Sequence, residues 1–413
     1  MTHRPRHEGG RVGWSAVVGL LVAGAVAWWW LASDRAVADT SPARAPAVAA
    51  AAAPGPAASL PSVAAPAVPA SGPPLTDAER SARKAQALSR LERAQEALQA
   101  YQKAARYPHE SRPAGEHPDQ MRPFDPVAED HPLRVPGGSA MQGVRLKTTQ
   151  ERTFLSGNEH SRVTLSLVDA NDRPLALRIQ RAVLKEIPQP GATTRTAELA
   201  LQVNDNGQSG DALALDGIFT AWVQPQAQGF AAAAGLIRLE LNLEYGGQPG
   251  FVYFDFIFSP ETAARWLPGV REAVEAGSLA FYLKAEILLP GRYVVSARVD
   301  DAAGRTFAVA LFNAELGRGP QDIRLPVFGK LILDEKAQFP LKLRDVDAFL
   351  LKPDTYPDRV TLPRLAGVVH TSRVHLPGDF SPALWQSEER DRYLAELGRD
   401  VTNAEKALAS LGP

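Results

Sequence analysis

An acidic, glycine-rich stretch at residues 204–220 carries the side chains best suited to binding a cation. It reads NDNGQSGDALALDGIFT. Four of its oxygen-bearing side chains are candidate calcium ligands. They are Asp205, Ser209, Asp211 and Asp216. Asp205 to Asp216 spans twelve positions with Gly210 at the sixth, which is the frame of a helix–loop–helix calcium loop. The first chemistry that the sequence suggests is therefore calcium binding.

The same stretch also fits a turn that stabilises itself. Its glycines allow positive φ, and short acidic side chains accept hydrogen bonds from turn amides. Leu213 occupies the ninth position, Asp216 replaces the bidentate glutamate of a calcium loop, and the predicted flanks are strands. We favour the structural turn and keep calcium as the alternative; we expect no other cofactor.

Two further groups combine residue types that occur in active sites. Ser156-Gly157-Asn158-Glu159-His160 places a serine near a histidine on one short loop, which is typical of a polar turn. Arg344-Asp345-Val346-Asp347 holds carboxylates at i and i+2, on one face of a strand, as a charge pair or a ligand. The sequence contains no nucleophile elbow, phosphate-binding loop, zinc-protease motif or dinucleotide fingerprint. We therefore predict no catalytic residues.

The histidines do not form a recognisable metal motif. His109, His117 and His131 lie among carboxylates in a proline-rich stretch, where a solvated connector is the simpler interpretation. His370 and His375 are five positions apart, which on a strand would place them on opposite faces. No shared ligand site is predicted for either group.

Composition excludes several function classes. The chain has 413 residues, a formal charge of -1 and no cysteine. The lack of a basic surplus argues against a nucleic-acid partner, because phosphate binding needs clustered positive charge. The lack of cysteine excludes disulfides, thiol nucleophiles and cysteine-ligated zinc.

An uncharged apolar segment at residues 12–32 predicts a transmembrane helix. It reads VGWSAVVGLLVAGAVAWWWLA, enough to cross a hydrocarbon layer of roughly 30 Å. Arg4, Arg6 and Arg11 precede it, so the positive-inside rule puts residues 1–11 in the cytoplasm. We expect a single-pass protein of the bacterial inner membrane whose bulk is periplasmic. The alternative is a signal peptide cleaved after Ala38.

Residues 33–74 are rich in alanine and proline and predict a disordered linker. An amphipathic helix is predicted over 75–106, opened by a capping box at Thr76 and Glu79. A proline-rich irregular connector over 107–140 follows it. A second amphipathic helix is predicted over 385–413. These helices could pair with each other, fold onto the rest of the chain or associate between chains.

The predicted apolar seams follow 3,4 spacing along both helices. They consist of Leu91, Ala94, Leu98, Tyr101 and Ala105 in the first helix, and of Leu394, Leu397, Val401, Ala404, Leu408 and Leu411 in the second.

Between the helices the pattern changes to apolar–polar alternation with β-branched residues. It predicts a mainly β fold with two immunoglobulin-like β-sandwich domains, over 141–260 and 279–384. A helical bridge is predicted between them over 261–278, which reads ETAARWLPGVREAVEAGS.

Residues 205–220 resemble the D-x-G-x-x-G-D-x-x-A-x-D-G-x-F-T element of bacterial envelope proteins of the choice-of-anchor X type. The matching residues are Asp205, Gly207, Gly210, Asp211, Ala214, Asp216, Gly217, Phe219 and Thr220. The resemblance implies an immunoglobulin-like sandwich on an extracytoplasmic protein and implies no reaction. Together these features predict a non-catalytic, membrane-anchored scaffold or binding protein with an envelope protein as partner. The alternatives are an enzyme acting on envelope polymer and a calcium-stabilised adhesion-like domain.

Overall fold

The computed structural model describes residues 76–135, 139–188 and 198–412, and residues 75–413 form one compact unit. The described chain is mainly β, as the sequence predicts. The predicted cytoplasmic N-terminus (1–11), transmembrane helix (12–32) and linker (33–74) lie outside the described residues. Among the described helices, none is long and apolar enough to cross a membrane.

The first described elements are a long helix, a short strand and one helical turn. They are α1 (Asp77–Ala104), β1 (Ser111–Pro113) and α2 (Pro118–Met121). Thr76 and Glu79 form the predicted capping box at the start of α1, with the Thr76 hydroxyl accepting from the Glu79 N–H at 3.3 Å. This reciprocal arrangement satisfies amide donors that have no partner inside the helix.

The first sandwich has two sheets. Its strands are β2 (Val127–Arg134), β3 (Ala140–Gln150), β4 (Phe154–Ser156), β5 (Ser161–Asp169), β6 (Pro174–Leu175), β7 (Arg178–Ile187), β8 (Glu198–Ala200), β9 (Val203–Asn204), β10 (Phe219–Val223), β11 (Gly235–Tyr245) and β12 (Gln248–Ser259). One sheet has the order β2-β3-β5-β10-β9 with β6 on β5, and the other β4-β12-β11-β7-β8. Alternate residues of β11, from Ile237 to Leu243, are fully buried between them. Each such side chain contributes about 1.5–3 kcal/mol by burial.

The second sandwich pairs a six-stranded with a three-stranded sheet. Its further elements are β13 (Ala264–Glu275), β14 (Ser278–Ile287), β15 (Gly291–Asp300), β16 (Thr306–Leu316), β17 (Gly319–Val327), α3 (Gly329–Asp334), β18 (Lys342–Leu351), β19 (Arg359–Thr361) and β20 (Leu365–Thr371). The larger sheet has the order β1-β16-β15-β18-β19 with β20 on β18, and the smaller is β13-β14-β17. Phe281, Tyr293 and Phe307 fill the core between them.

The predicted helical bridge over 261–278 is wrong, because β13 occupies most of that range. Its alanine, glutamate and arginine residues favour helix in isolation, but β13 pairs antiparallel with β14. Ala276 and Gly277, at φ 48° and 70°, form the two-residue turn between these strands, which is the geometry of a tight hairpin. A bulge between Leu267 and Val270 accommodates the proline and glycine of the strand.

The predicted irregular connector over 107–140 is also wrong, because it contains two edge strands. β1 pairs with β16 of the second sandwich, and β2 pairs with β3 of the first. Pro113 and Pro132 lie in these strands, and an edge strand tolerates proline because one of its sides makes no ladder hydrogen bonds. The first sandwich therefore begins at Val127, and the whole of it is inserted between β1 and the remaining strands of the second.

The two long helices pair with each other. The C-terminal helix, α4 (Glu388–Ala409), begins after Ser387, whose hydroxyl accepts from the Arg390 N–H. Every residue of the two predicted seams is partly or fully buried. The Tyr101 and Tyr393 rings lie 5.6 Å apart, near the end of α1 and the start of α4, so the helices run antiparallel. We call this pair the helical hairpin.

We predict that Ala404→Glu separates the helical hairpin, whereas Ala395→Glu does not. Ala404 is 1% exposed and Ala395 is exposed on the same helix. A charged side chain in the seam should cost about 1–3 kcal/mol of helix pairing. Limited trypsin digestion would show faster cleavage within both helices of the Ala404 variant only. Equal cleavage rates in the two variants would contradict the pairing.

Candidate functional site between the two sandwiches

A cleft of about 780 Å³ lies where the first sandwich meets the second. The loop from Ser156 to His160, which follows β4, forms one wall. Asp345 of β18, Thr361 of β19 and Arg364 form the opposite wall. The structure thus brings together both groups of residue types that the sequence singled out, the serine–histidine loop and the paired carboxylates.

Hydrogen bonds across the cleft join the two sandwiches. The Thr361 N–H donates to the Ser156 hydroxyl oxygen at 2.7 Å, and the Thr361 hydroxyl donates to Glu159. Glu159 also accepts from the Ser156 N–H at 2.8 Å and from Arg152 at 2.7 Å. The His160 ring instead stacks on Trp222, with centroids 3.9 Å apart. Ser156 is therefore a structural acceptor, and the loop is the polar turn that the sequence favours.

A bulge at Asp345 sets the direction of the paired carboxylates. Asp345 has φ 51°, and the pairing of β18 with β15 shifts register at this position. The bulge moves the buried alternation by one residue, so that Leu343 and Val346 both lie in the core. The i, i+2 rule therefore does not describe this segment. Asp345 accepts from the Gly367 N–H at 2.7 Å and pairs with Arg298.

Asp347 is the most perturbed carboxyl group near the cleft. It is 6% exposed, and burial raises its pKa to about 6 even though two arginines face it. Arg364 Nε lies 3.4 Å from one oxygen and Arg152 Nη2 lies 3.8 Å from the other. That second oxygen, Oδ1, accepts no hydrogen bond from any described residue. Groups perturbed in this way are concentrated at functional sites.

Arg152 and Arg364 organise the cleft from opposite sides. Arg152 connects Glu159 to Asp347, and Arg364 donates to the Phe124 carbonyl at 3.1 Å. No local motif surrounds either arginine in the sequence, and only the tertiary fold brings them together. The arrangement can bind a polar ligand, and Asp347, whose pKa burial raises to about 6, lies beside it. It contains no activated nucleophile among the described residues.

We predict that Asp347→Asn stabilises the protein at pH 8 but not at pH 4. A carboxyl group whose pKa is raised by folding opposes folding once it ionises, so stability should fall as pH rises from about 4 to about 6. The difference between about 6 and the ordinary 3.8 corresponds to about 3 kcal/mol. Urea unfolding followed by tryptophan fluorescence at both pH values would measure it. A variant less stable than the parent at pH 8 would show that the two arginines outweigh burial.

The acidic stretch at 205–220 is a turn whose carboxylates accept amide hydrogen bonds. Asp205 accepts from the Asp216 and Gly217 N–H groups, both at 3.1 Å. Asp211 accepts from the Gly207 N–H at 2.6 Å, which lowers its pKa. Ser209, the remaining calcium candidate, has φ 54°. These bonds are those of the self-stabilised turn, and calcium binding stays a prediction.

No group of three or more histidine, aspartate or glutamate side chains in the described ranges is arranged to hold a metal ion. His109, His117 and His131 lie on separate elements, before β1, before α2 and within β2.

His370 and His375 share a partner, although the alternation of a strand would have placed them on opposite faces. Their Nε2 atoms lie 3.0 and 3.2 Å from the two carboxylate oxygens of Glu272 on β13. β20 ends at Thr371, so the alternation of a strand does not extend to His375. Burial raises the pKa of Glu272, but hydrogen bonds from the Arg373 N–H and both histidines outweigh it, and the pKa is lowered overall.

We predict that Glu272→Gln destabilises the protein at pH 7 by about 1–3 kcal/mol, because an amide cannot accept from both imidazoles. A lowered carboxyl pKa contributes stability that is present above the unfolded value of 4.5 and lost as pH falls below it. The difference from the parent should therefore shrink below about pH 4. Glu129→Gln, at an exposed position of β2, is the control in thermal unfolding. A pH-independent difference would rule out the ionised carboxylate as its cause.

No known protein family and no curated protein sequence matches this chain. Among solved structures, it is similar to a DUF4785 family protein of Legionella pneumophila, with 12% identity, a TM-score of 0.37 and coverage of 55% of this chain and 57% of that one. The adhesin InvE of Yersinia pseudotuberculosis has 12% identity and a TM-score of 0.17, with coverage of 52% and 58%. Squid arrestin has 7% identity and a TM-score of 0.18, with coverage of 60% and 100%. The chain thus spans a little over half the length of the first two.

Proposed function

We propose that this chain is a non-catalytic, membrane-anchored scaffold or binding protein of the bacterial envelope. Its N-terminus lies in the cytoplasm, residues 12–32 cross the inner membrane and the β domains are periplasmic. The apolar segment with arginines before it and the alanine–proline linker after it support this topology. The resemblance of 205–220 to choice-of-anchor X proteins supports an envelope location.

The helical hairpin is the observation that carries the scaffold proposal. Its two helices come from opposite ends of the β region and pair with each other. At its base, Arg106 pairs with Asp334 at 2.7 Å and the Tyr107 hydroxyl donates to the same carboxylate at 2.8 Å. Across its whole described length, α1 contains no fully buried residue. A two-helix unit of this kind leaves its seam partly accessible to a further helix or partner.

Apolar exposure and charge both favour partner binding through the hairpin. Leu88 and Tyr393 are each 42% exposed on it. α1 has six basic and four acidic residues, a net charge of +2, and α4 has four basic and six acidic residues, a net charge of −2. Opposite net charges on adjacent helices favour their pairing within the chain. They also present a positive and a negative strip to a partner.

We predict that crosslinking and affinity capture of the tagged full-length chain from native membranes yields a small, reproducible set of envelope proteins or a second copy. Mass spectrometry should show that this set is lost with Leu88→Glu and retained with Leu199→Glu. Leu199 is 37% exposed on β8, so it is a matched control. Capture of nothing specific, or equal capture by both variants, would count against the hairpin as the binding element.

The cleft favours a second candidate, an enzyme acting on envelope polymer. Glu159, Asp345 and Asp347 are carboxylates in or beside one cleft, and the pKa of Asp347 is about 6, within the range of a general acid. Glu159 and Asp345 are held by guanidinium and amide donors, which favours a structural role for both. Turnover of an envelope polymer that Asp347→Asn abolishes would favour this candidate. The remaining alternative is a calcium-stabilised, adhesion-like domain. The acidic turn at 205–220 is the observation that supports it.

A further inference from the structure

We propose that the junction between the two sandwiches is a proton-sensitive joint, which opens more readily when Asp347 is ionised than when it is protonated. Such a joint governs the relative motion of the two sandwiches. It requires neither the scaffold function, which the hairpin carries, nor a ligand in the cleft.

The two sandwiches have separate hydrophobic cores and are connected by two chain segments. Residues 114–126 connect β1 to β2, and residues 260–263 connect β12 to β13. The second segment is short and lies beside the cleft, because Thr262 lines the cleft wall. A few residues between two packed bodies can absorb the change in backbone dihedrals that a rotation requires. The junction can therefore open while each sandwich keeps its own sheets and core.

Polar side chains make contacts across the junction. Thr361 of the second sandwich donates to Ser156 and Glu159 of the first, and Arg152 of the first sandwich faces Asp347 of the second. Water can take the place of each partner when the sandwiches separate, so hydration offsets much of what these contacts lose. Opening at this junction is therefore less costly than unfolding either core.

Asp347 is the carboxyl group whose hydration changes when the junction opens. Its Oδ1 lies 3.8 Å from Arg152 Nη2 and accepts no hydrogen bond in the part of the chain that the structure describes. The charged groups that face Asp347 are Arg152, Arg364, Asp345 on its own strand and Asp125 before β2. They comprise two positive and two negative groups, so burial is the largest influence on Asp347. Separation of the sandwiches would move Arg152 away and admit water to this oxygen.

The direction of the pH effect follows from this difference in hydration. Burial raises the pKa of Asp347 to about 6 in the closed junction, whereas hydration in the open junction returns the pKa towards the ordinary 3.8. A group that binds its proton more tightly in the closed form stabilises that form when it is protonated. The ratio of closed to open junction should therefore fall about tenfold between pH 5 and pH 8.

The test is amide hydrogen exchange of the full-length chain at pH 5 and pH 8, read by mass spectrometry with residue-level fragmentation. The Thr361 N–H donates to Ser156 across the junction, so its exchange reports opening. After correction for the intrinsic effect of pH, its protection should be about tenfold lower at pH 8. The Phe281 N–H lies in β14, the central strand of its sheet. It should be at least about a hundredfold more protected, because it exchanges only when that sheet unfolds.

Asp347→Asn removes the titrating group, so the protection of the Thr361 N–H should be equal at the two pH values. Asp300→Asn is the matched control. Asp300 is a carboxylate of β15 that is 2% exposed and pairs with Arg344 inside the second sandwich, so the tenfold difference should persist in this variant.

Should Asp347→Asn fail to fold, as judged by circular dichroism, Asp347→Ser takes its place. The proposal is overturned if the parent shows no difference between the two pH values, or if the difference survives replacement of Asp347. It is also overturned if Asp300→Asn abolishes the difference, or if the Thr361 N–H is as protected as that of Phe281, because the junction would then open only on unfolding.

Discussion

The hydrogen bonds that Thr361 makes with Ser156 and Glu159 join the two sandwiches at the cleft. These residues are more than 200 positions apart in the chain. The bonds are partly buried and charge-assisted on the Glu159 side, which makes them stronger than contacts between exposed loops. Each wall of the cleft is thereby fixed relative to the other.

This junction carries an electrostatic cost that the fold does not fully offset. Four buried side-chain atoms near it make no hydrogen bond among the described residues. They are Asp347 Oδ1 and the Nε atoms of Arg298, Arg344 and Arg364. Burying ion pairs often costs more in lost hydration than it returns in attraction. The raised pKa of Asp347 expresses the same imbalance, because burial outweighs two neighbouring guanidinium groups. Apolar packing at the same positions would avoid this cost.

Local patterns predict the local elements well and the junction poorly. The Thr76 capping box and both helical seams depend on residues within a few positions of one another, and both predictions are confirmed. The strand β13 was predicted as helix because its composition favours helix, and only its pairing with β14 reverses that preference. The histidines on Glu272 were predicted apart because the end of β20 is not visible in the alternation. Arg152 and Arg364 could not be identified at all, since their roles arise from tertiary proximity.

Chain topology explains why the helical hairpin forms. The short strand β1 belongs to the second sandwich, although it precedes the entire first sandwich in sequence. α1 therefore leads directly into the second sandwich, and α4 leaves the same sandwich at the other end of the chain. Arg390 of α4 donates to the Ala105 carbonyl at 3.3 Å, and Tyr107 anchors the base of α1 to Asp334 of α3. Because the first sandwich is inserted in the sequence between β1 and β13, the first and last strands of the β region both belong to the second sandwich. The seams of the two helices can then meet without a long connecting loop, whose closure would cost entropy.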